Sequence, residues 1–237
     1  MLPAMLAIAA LAAAGCVTTT KSSPAISPAL SARSAGMVDA ATLAPELRVD
    51  MRYAGTNNFV GARITGYEAP RCYLLKPAAE ALQRVQASLS PSNLRLHVFD
   101  CYRPVRAVQH FARWAANLDD QRTKPQYYPN IDKSQLIPDY IASKSGHSRG
   151  ATLDLTLDQC DAAGQHCEPL DMGTTFDFLD VRANTDHPGV TGEQRAHRQR
   201  LKTAMESGGF KNYPLEWWHY TLDPEPSPDV AYDFVVR

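Results

Sequence analysis

Residues 145–157 read SGHSRGATLDLTL, a glycine-rich polar loop that runs into a strand-like segment. Residues 151–157 are typical of a β-strand, and Asp154 lies between Leu153 and Leu155 within it. A carboxylate inside an apolar strand needs a partner, because an unpaired buried charge is costly. The loop can fold back so that His147 and Asp154 point at one place, where a metal ion would be a suitable partner. The alternative is an aspartate that faces solvent from an amphipathic strand.

Residues 215–222, LEWWHYTL, are aromatic and β-prone, and they place Glu216 three residues before His219. On its own, this pair is also typical of a core histidine that is hydrogen-bonded to Glu216. Combined with the first motif, His147, Asp154 and His219 supply two imidazoles and one carboxylate. Such a set leaves a fourth position open for water, which is the pattern of a catalytic zinc site. Glu216 remains as an unligated acid, and the absence of H-E-x-x-H excludes a thermolysin-type site.

Arg103 lies in the string DCYRP, residues 100–104, between a predicted strand and a predicted helix. A cation at such a junction can point at negative charge that develops during a reaction. The alternatives are a surface arginine and an ion pair with Asp100.

The pattern of elements predicts an α+β fold, with a small, mainly antiparallel sheet and helices packed on it. Helices are predicted after Pro77, after Pro104 and from the capping-box pair Thr191 and Gln194 to Gly208. Strands are predicted at 94–99, 151–157 and 215–222. No G-x-G-x-x-G or P-loop follows a strand, so nucleotide binding is not expected.

The chain has 237 residues, with 24 Lys and Arg against 25 Asp and Glu, for a net charge of −1. A chain so balanced lacks the basic footprint of a nucleic-acid-binding protein, which excludes that class of partner. Apart from His147 and His219, the histidines are expected to be ordinary polar residues, with His97 on the polar face of its strand.

Residues 1–15, MLPAMLAIAALAAAG, form an uncharged apolar stretch that ends in small residues directly before Cys16. This arrangement is typical of a bacterial lipoprotein signal, with a plain secretory signal and a cytoplasmic N-terminal helix as alternatives. Residues 16–36 are rich in Ser, Thr, Pro and Ala and predict a flexible tether. Residues 37–237 would then form one catalytic domain. We expect a periplasmic protein that contacts the membrane only through a lipid on Cys16.

Four cysteines follow Cys16, and an even number in an oxidising compartment suggests two disulfides. The sequence allows three connectivities. Cys160 and Cys167 bracket a short polar loop and can close locally, which would leave Cys72 to pair with Cys101. Zinc binding by these cysteines is less favoured, because no C-x-x-C spacing occurs.

Several separated segments resemble the VanX-type D-alanyl-D-alanine dipeptidases, which are zinc enzymes related to the D-Ala-D-Ala carboxypeptidases and to the Hedgehog-like fold. The resemblance covers residues 45–237 and is carried by DMRYAGTNNFVG (50–61), DCYRPVRAVQHF (100–111), YYPNIDKSQL (127–136), SGHSRGATLDLTL (145–157), MGTTFDF (172–178) and LEWWHYTL (215–222). It implies one zinc ion per chain, held by His147, Asp154 and His219. It also implies Glu216 as the catalytic base and Arg103 as the stabiliser of the transition state.

The resemblance further implies that Asp177 binds the ammonium of a small D,D-dipeptide, and that Tyr53 and Ser145 line the substrate site. The expected reaction is hydrolysis of D-alanyl-D-alanine, and export of the protein favours a role in peptidoglycan turnover or D-alanine scavenging. One alternative is a D,D-carboxypeptidase or endopeptidase that acts on muropeptide stems with the same metal set. Another is a zinc-bearing binding module without turnover, against which the presence of Glu216 and Arg103 argues.

Overall fold

A computed structural model describes residues 23–237. The expected signal segment 1–15, the lipidation site Cys16 and the tether residues 17–22 lie outside the described residues. Within residues 23–237, no helix is both long and apolar enough to cross a bilayer.

Ten strands and five helices make up the described chain. The strands are β1 (Ala25–Ile26), β2 (Met37–Asp39), β3 (Arg48–Val49), β4 (Tyr73–Leu75), β5 (Leu94–Asp100), β6 (Thr152–Cys160), β7 (Cys167–Pro169), β8 (Phe210–Asn212), β9 (His219–Leu222) and β10 (Val230–Ala231). The helices are α1 (Ala40–Leu43), α2 (Lys76–Leu89), α3 (Val105–Ala116), α4 (Lys124–Tyr127) and α5 (Gly192–Ser207).

The main sheet has the order β3-β5-β6-β9-β8, and β7 also pairs with β6. All of its pairings are antiparallel except that of β3 with β5. Helices α2 and α5 contact each other and the central strands β5 and β6. The α+β prediction, with a mainly antiparallel sheet and helices on it, is confirmed.

Strand β6 separates the apolar core from the polar face of the sheet. Successive side chains of a strand point to opposite faces. The leucines of β6 therefore share one face and belong to the buried core, while its polar residues share the other: Thr152, Asp154, Thr156 and Asp158. All four polar side chains are buried, so this face must supply partners for them.

A β-bulge in β5 turns an additional carboxylate onto this polar face. Val98 pairs with Leu155, but the next pairing is Asp100 with Asp154, so Phe99 is the extra residue in β5. Such a bulge shifts the alternation of the strand by one residue. Asp100 consequently lies opposite Asp154 rather than in the apolar core.

The helices after Pro77 and Pro104 are confirmed, as is the capping box of α5. Its two hydrogen bonds join Thr191 Oγ1 to the Gln194 amide at 3.2 Å and Gln194 Oε1 to the Thr191 amide at 2.9 Å. The strand predicted at 215–222 is shorter than expected: it begins only at His219 and ends at Leu222. Glu216 instead lies in a turn, whose amide bonds to the Tyr213 carbonyl at 3.0 Å.

The prediction of a tether up to residue 36 is wrong for its described part. β1 pairs in parallel with β10, through hydrogen bonds from the Ala25 amide to Asp229 and from the Ser27 amide to Ala231. Ala35 is buried in the core. These contacts are made largely by the backbone, which is why a composition rich in Ser, Pro and Ala did not reveal them.

The structure contains both expected disulfides, Cys72–Cys101 and Cys160–Cys167. The first is fully buried and joins the start of β4 to the segment that carries Arg103. The second links neighbouring residues of the β6–β7 hairpin.

We expect the two disulfides to contribute unequally to stability. Replacing Cys72 and Cys101 by alanine should lower the free energy of unfolding by about 3.6 kcal/mol, because that bridge closes a span of 29 residues. The matched change at Cys160 and Cys167 should cost about 2.4 kcal/mol, since its span is 7 residues. Urea unfolding of the three proteins measures both values. A larger loss from the hairpin bridge would contradict the prediction.

Candidate metal centre and active site

The loop before β6 is built to aim His147 at the strand. Ser145 caps a short 3-10 turn, with its hydroxyl accepting from the His147 amide at 3.3 Å. Gly150 ends the turn with a φ of 79°. This left-handed conformation favours glycine, and a Cβ at this position would also displace the flexible end of the Met37 side chain.

Three predicted ligands converge on one point. His147 Nε2 lies 3.3 Å from Asp154 Oδ2 and 3.3 Å from His219 Nδ1. His219 Nδ1 lies 3.1 Å from Asp154 Oδ1. The register places Asp154 opposite His219 in β6 and β9, and the loop brings His147 over them.

The spacing of these atoms suits a metal ion better than hydrogen bonds. Donors held tetrahedrally about 2.0–2.1 Å from a zinc ion are separated by about 3.3 Å. Asp154 Oδ1 is buried and has no hydrogen-bond partner among the described residues, although an imidazole nitrogen lies close to it. An unpaired buried carboxylate oxygen beside two imidazole nitrogens is the arrangement that a cation would satisfy.

The far side of His147 is held by the protein backbone. Its Nδ1 lies 2.8 Å from the carbonyl oxygen of Cys101 and 3.4 Å from Asp100 Oδ2. Donation from Nδ1 fixes the tautomer that leaves Nε2 free to ligate. Burial lowers the pKa of His147, which keeps its imidazole neutral, as metal binding requires.

Arg103 connects the bulge of β5 to Asp154, one of the three candidate ligands. It donates from Nε to Asp100 Oδ2 at 2.9 Å and from Nη2 to Asp154 Oδ2 at 3.3 Å. Its guanidinium lies over the rings of Tyr53 and Phe111, at 5.1 and 5.2 Å from their centroids. The ion pair with Asp100, one of the alternatives, is present, and the same side chain also lines the cavity described below.

Glu216 stands beside the three ligands without joining them. Its Oε2 lies 3.4 Å from His219 Nδ1, and the cluster of atoms that could hold a metal contains only His147, Asp154 and His219. Burial raises the pKa of Glu216. A carboxyl group with a raised pKa near a metal is suited to accept and return a proton.

Asp177 is a buried carboxylate that faces the cavity. The Tyr53 hydroxyl donates to both of its oxygens, at 3.0 Å each. Burial raises the pKa of Asp177 well above its ordinary value, and the charge of Asp154 adds to this effect. Its φ of 60° is uncommon outside glycine, and strain of this kind concentrates at functional sites.

These side chains enclose a cavity of about 250 Å³. His147 is buried and does not line the cavity. The other predicted catalytic, metal-binding and substrate-binding residues do: Tyr53, Arg103, Ser145, Asp154, Asp177, Glu216 and His219. The volume is below the range of about 300–1,000 Å³ that is usual for drug-sized ligands. The cavity therefore fits a small molecule better than a long peptide.

Sequence reasoning missed residues that support the site. Asp100 was considered only as a partner for Arg103, yet it also accepts from the Tyr67 hydroxyl at 2.7 Å and lies close to His147. The bulge that orients Asp100 leaves no clear mark in the sequence. His97, expected to be an ordinary polar residue, is buried and bonded to Asp158, because the chain covers the polar face of the sheet there.

Comparison with known proteins identifies related chains. Residues 33–237 match the peptidase M15 family described as D-Ala-D-Ala dipeptidase. A D-alanyl-D-alanine dipeptidase from Enterococcus faecalis is 42% identical over 191 residues, which cover 80% of this chain and 93% of the relative. Relatives with the same name from Streptomyces coelicolor and Escherichia coli are 40% and 34% identical. They cover 80% and 83% of this chain, and 93% and 90% of their own lengths.

We expect His219→Ala to lose most of its bound metal, because it removes one of three ligands. Glu216→Ala should keep the metal and the fold, because Glu216 is adjacent to the ligands but not one of them. Elemental analysis of the purified variants, with circular dichroism as the folding check, tests both. Full metal retention in His219→Ala, or metal loss in a folded Glu216→Ala, would show that the ligands are wrongly assigned.

Proposed function

Because the chain belongs to the D-Ala-D-Ala dipeptidase family, we propose that it hydrolyses D-alanyl-D-alanine to two molecules of D-alanine. The observation that carries this proposal is the set of side chains that line one small cavity. A three-ligand cluster, the free carboxyl group of Glu216 and the buried carboxylate of Asp177 all border it.

We further propose that the metal is one zinc ion per chain, held by His147, Asp154 and His219. Two imidazoles and one carboxylate form a set that zinc commonly takes in hydrolases. When bound, zinc supplies a Lewis acid and makes a water molecule more acidic.

Glu216 is the group that moves protons. It takes a proton from the attacking water, and burial, which raises its pKa, favours the protonated form that results. It then passes the proton to the nitrogen of the leaving D-alanine as the peptide bond breaks. The turn at 213–216 holds this carboxyl group beside the ligands without making it a ligand.

Arg103 places fixed positive charge beside the scissile carbonyl. Its guanidinium is held by Asp100 and rests on two aromatic rings, so little rearrangement is needed when an oxyanion develops. Preorganised donors of this kind stabilise the transition state more than the substrate.

Asp177 selects for a free amino terminus. It is buried, it lines the cavity, and the Tyr53 hydroxyl donates to both of its oxygens. A substrate ammonium that enters the cavity would pair with this carboxylate and favour its charged form. A carboxypeptidase that acts on long stems would have no use for such a group, because its substrates carry no ammonium next to the scissile bond.

The proposed place of action is the cell envelope, in peptidoglycan turnover or D-alanine scavenging. Two disulfides support an oxidising compartment. The small residues before Cys16 support export and lipidation at that cysteine.

The dipeptidase proposal is tested by comparing D-Ala-D-Ala with N-acetyl-D-Ala-D-Ala. Acetylation removes the ammonium and leaves Asp177 buried without its partner, a change that costs about 3–5 kcal/mol. The loss in kcat/KM should therefore be several hundred-fold or more. Asp177→Ala should reduce the difference in kcat/KM between the free and the acetylated dipeptide. Release of D-alanine is the measurement.

Glu216→Gln provides the inactive control, since it keeps the side-chain shape and should lower turnover by about 10²–10⁴-fold. Comparable rates of the unmodified enzyme on the free and the acetylated dipeptide would overturn the dipeptidase proposal and favour a carboxypeptidase.

The anchor proposal is tested by Cys16→Ala. If Cys16 carries the lipid, the variant should leave the membrane fraction, while the unmodified chain sediments with membranes after cell lysis. Immunoblots of both fractions give the result. A chain that is soluble in both forms would refute lipidation at this position.

A further inference from the structure

A second cavity lies on the polar face of the sheet, beside the catalytic one. It is larger, at about 540 Å³, which is within the range of about 300–1,000 Å³ that small-molecule sites occupy. Thr156 of β6 and His97 of β5 line it. Phe176 also lines it, whereas the next residue, Asp177, lines the catalytic cavity. One segment of chain thus forms a wall of both cavities.

Two buried polar atoms of this cavity lack partners. His97 Nε2 and Thr156 Oγ1 have no hydrogen bond to any described residue, although each of the two residues is only 2% exposed. His97 and Thr156 are directly opposite each other in the β5–β6 register, so their side chains lie together on one face. Buried polar groups are rarely left unpaired, and two adjacent ones indicate a place for a polar ligand group.

The contact with Asp158 sets the orientation of the His97 ring. Its Nδ1 lies 3.0 Å from Asp158 Oδ1, and the same carboxylate accepts from Arg48 at 3.0 Å. Burial lowers the pKa of His97, but the carboxylates of Asp158 and Asp50 outweigh it and raise that pKa, which favours the imidazolium, in which Nε2 is a second N–H donor. The nearest acceptor of Nε2 is Asp50 Oδ2, at 3.5 Å, which is too far for a well-formed hydrogen bond.

Two arginines, several apolar side chains and the polar residues Gln126, Asp171, Thr174 and Thr175 also line the cavity. The Arg52 guanidinium lies 4.7 Å from the ring centroid of Phe99, and that of Arg182 lies 4.7 Å from the ring centroid of Phe178. The apolar wall consists of Leu170, Met172, Phe176, Phe178 and Trp217.

The acidic groups near the cavity already have partners. Asp171 accepts from the Gly173 amide and from Gln194, both at 2.8 Å. Asp50 accepts from Arg52 Nε at 2.7 Å. Arg52 and Arg182 use only Nε in their pairs with Asp50 and Asp180, and their Nη atoms make no hydrogen bond to a described residue. Those Nη donors are available to an anion, while the apolar wall would cover a hydrocarbon body.

We propose that this second cavity is a binding site for a small carboxylate with an apolar body. The carboxylate would meet His97 and Thr156 between the two arginines, and the apolar part would pack on Phe176 and Trp217. Nothing in the catalytic proposal requires this site, and it does not use the metal ligands.

A ligand in the second cavity would contact Phe176 and Trp217, which are the sequence neighbours of two proposed site residues. Phe176 precedes Asp177, and Trp217 follows Glu216. Trp217 Nε1 also donates to Thr174 Oγ1 at 2.8 Å, which ties the two segments together. Occupancy of the second cavity is therefore expected to change the KM of the dipeptidase reaction.

The test uses phenylacetate as the probe, titrated into the metal-loaded full chain in a calorimeter. Thr156→Val keeps the side-chain shape, removes the unpartnered hydroxyl and should weaken binding by about tenfold, as for a hydrogen bond to a charged group. Arg182→Ala should weaken it by about two- to fivefold, because that arginine is half exposed. Neutral phenylacetamide should bind the unmodified chain more weakly than phenylacetate.

Arg122→Ala is the matched control for Arg182→Ala. Arg122 pairs with Asp120 as Arg182 pairs with Asp180, two residues earlier in the chain, but it does not line the cavity. Its variant should bind phenylacetate as the unmodified chain does. The proposal would be overturned if phenylacetate bound the unmodified chain, Thr156→Val and Arg182→Ala with equal affinity. It would also be overturned if phenylacetamide bound the unmodified chain as tightly as phenylacetate.

The effect of a ligand in the second cavity on the reaction is measured separately, in the dipeptidase assay. Phenylacetate should change the KM for D-Ala-D-Ala in the unmodified enzyme, with a weaker effect in Thr156→Val at the same concentration. An unchanged KM at saturating phenylacetate would overturn the coupling. This measurement rests on the proposed function, whereas the calorimetry does not, so failure of one is distinguishable from failure of the other.

Discussion

The buried carboxylate of Asp154 is the constraint on which the rest of the site depends. It is the third residue of the central strand β6 and is only 2% exposed, and a charge so buried must be compensated. Arg103, from the end of β5, supplies one positive charge at 3.3 Å. His147 from the preceding loop and His219 from the adjacent strand bring ring nitrogens within 3.3 Å, between which a cation would complete the compensation. The position of each is fixed by backbone structure, so the cluster is preorganised for a cation.

The polar face of the sheet explains why the two cavities are neighbours. Alternate residues of β6 put Asp154, Thr156 and Asp158 in one row, and each of them requires cover or a partner. The segment from Pro169 to Leu179 crosses this face and divides the space above it. On one side it contributes Asp177 to the metal cavity, and on the other it contributes Phe176 and Phe178 to the second cavity.

The sequence predicted that His147 and Asp154 lie close together because the signals for that are local. A glycine-rich loop followed by an alternating strand places His147 near Asp154, and the capping box of α5 is equally explicit. Features that depend on pairing at a distance were not predictable in this way. The bulge that turns Asp100 toward Asp154, the pairing of β1 with β10 and the burial of His97 arise from how strands and loops meet. A short polar segment such as 23–27 has no hydrophobic period that would reveal its place in the fold.

The charges around the catalytic cavity explain why it should accept a metal ion and a substrate ammonium together. Four carboxyl groups, Asp100, Asp154, Asp177 and Glu216, surround the single guanidinium of Arg103, and three of them have raised pKa values because burial opposes their charge. A divalent ion and one ammonium, together with Arg103, bring four positive charges against those four carboxylates. Neither cation alone achieves this balance, and Asp177, which contacts no metal ligand, is the carboxylate that remains uncompensated when only the metal is bound. A substrate without an ammonium would leave that imbalance in place, so the proposed selection for a free dipeptide rests on the charge of the cavity as much as on its size.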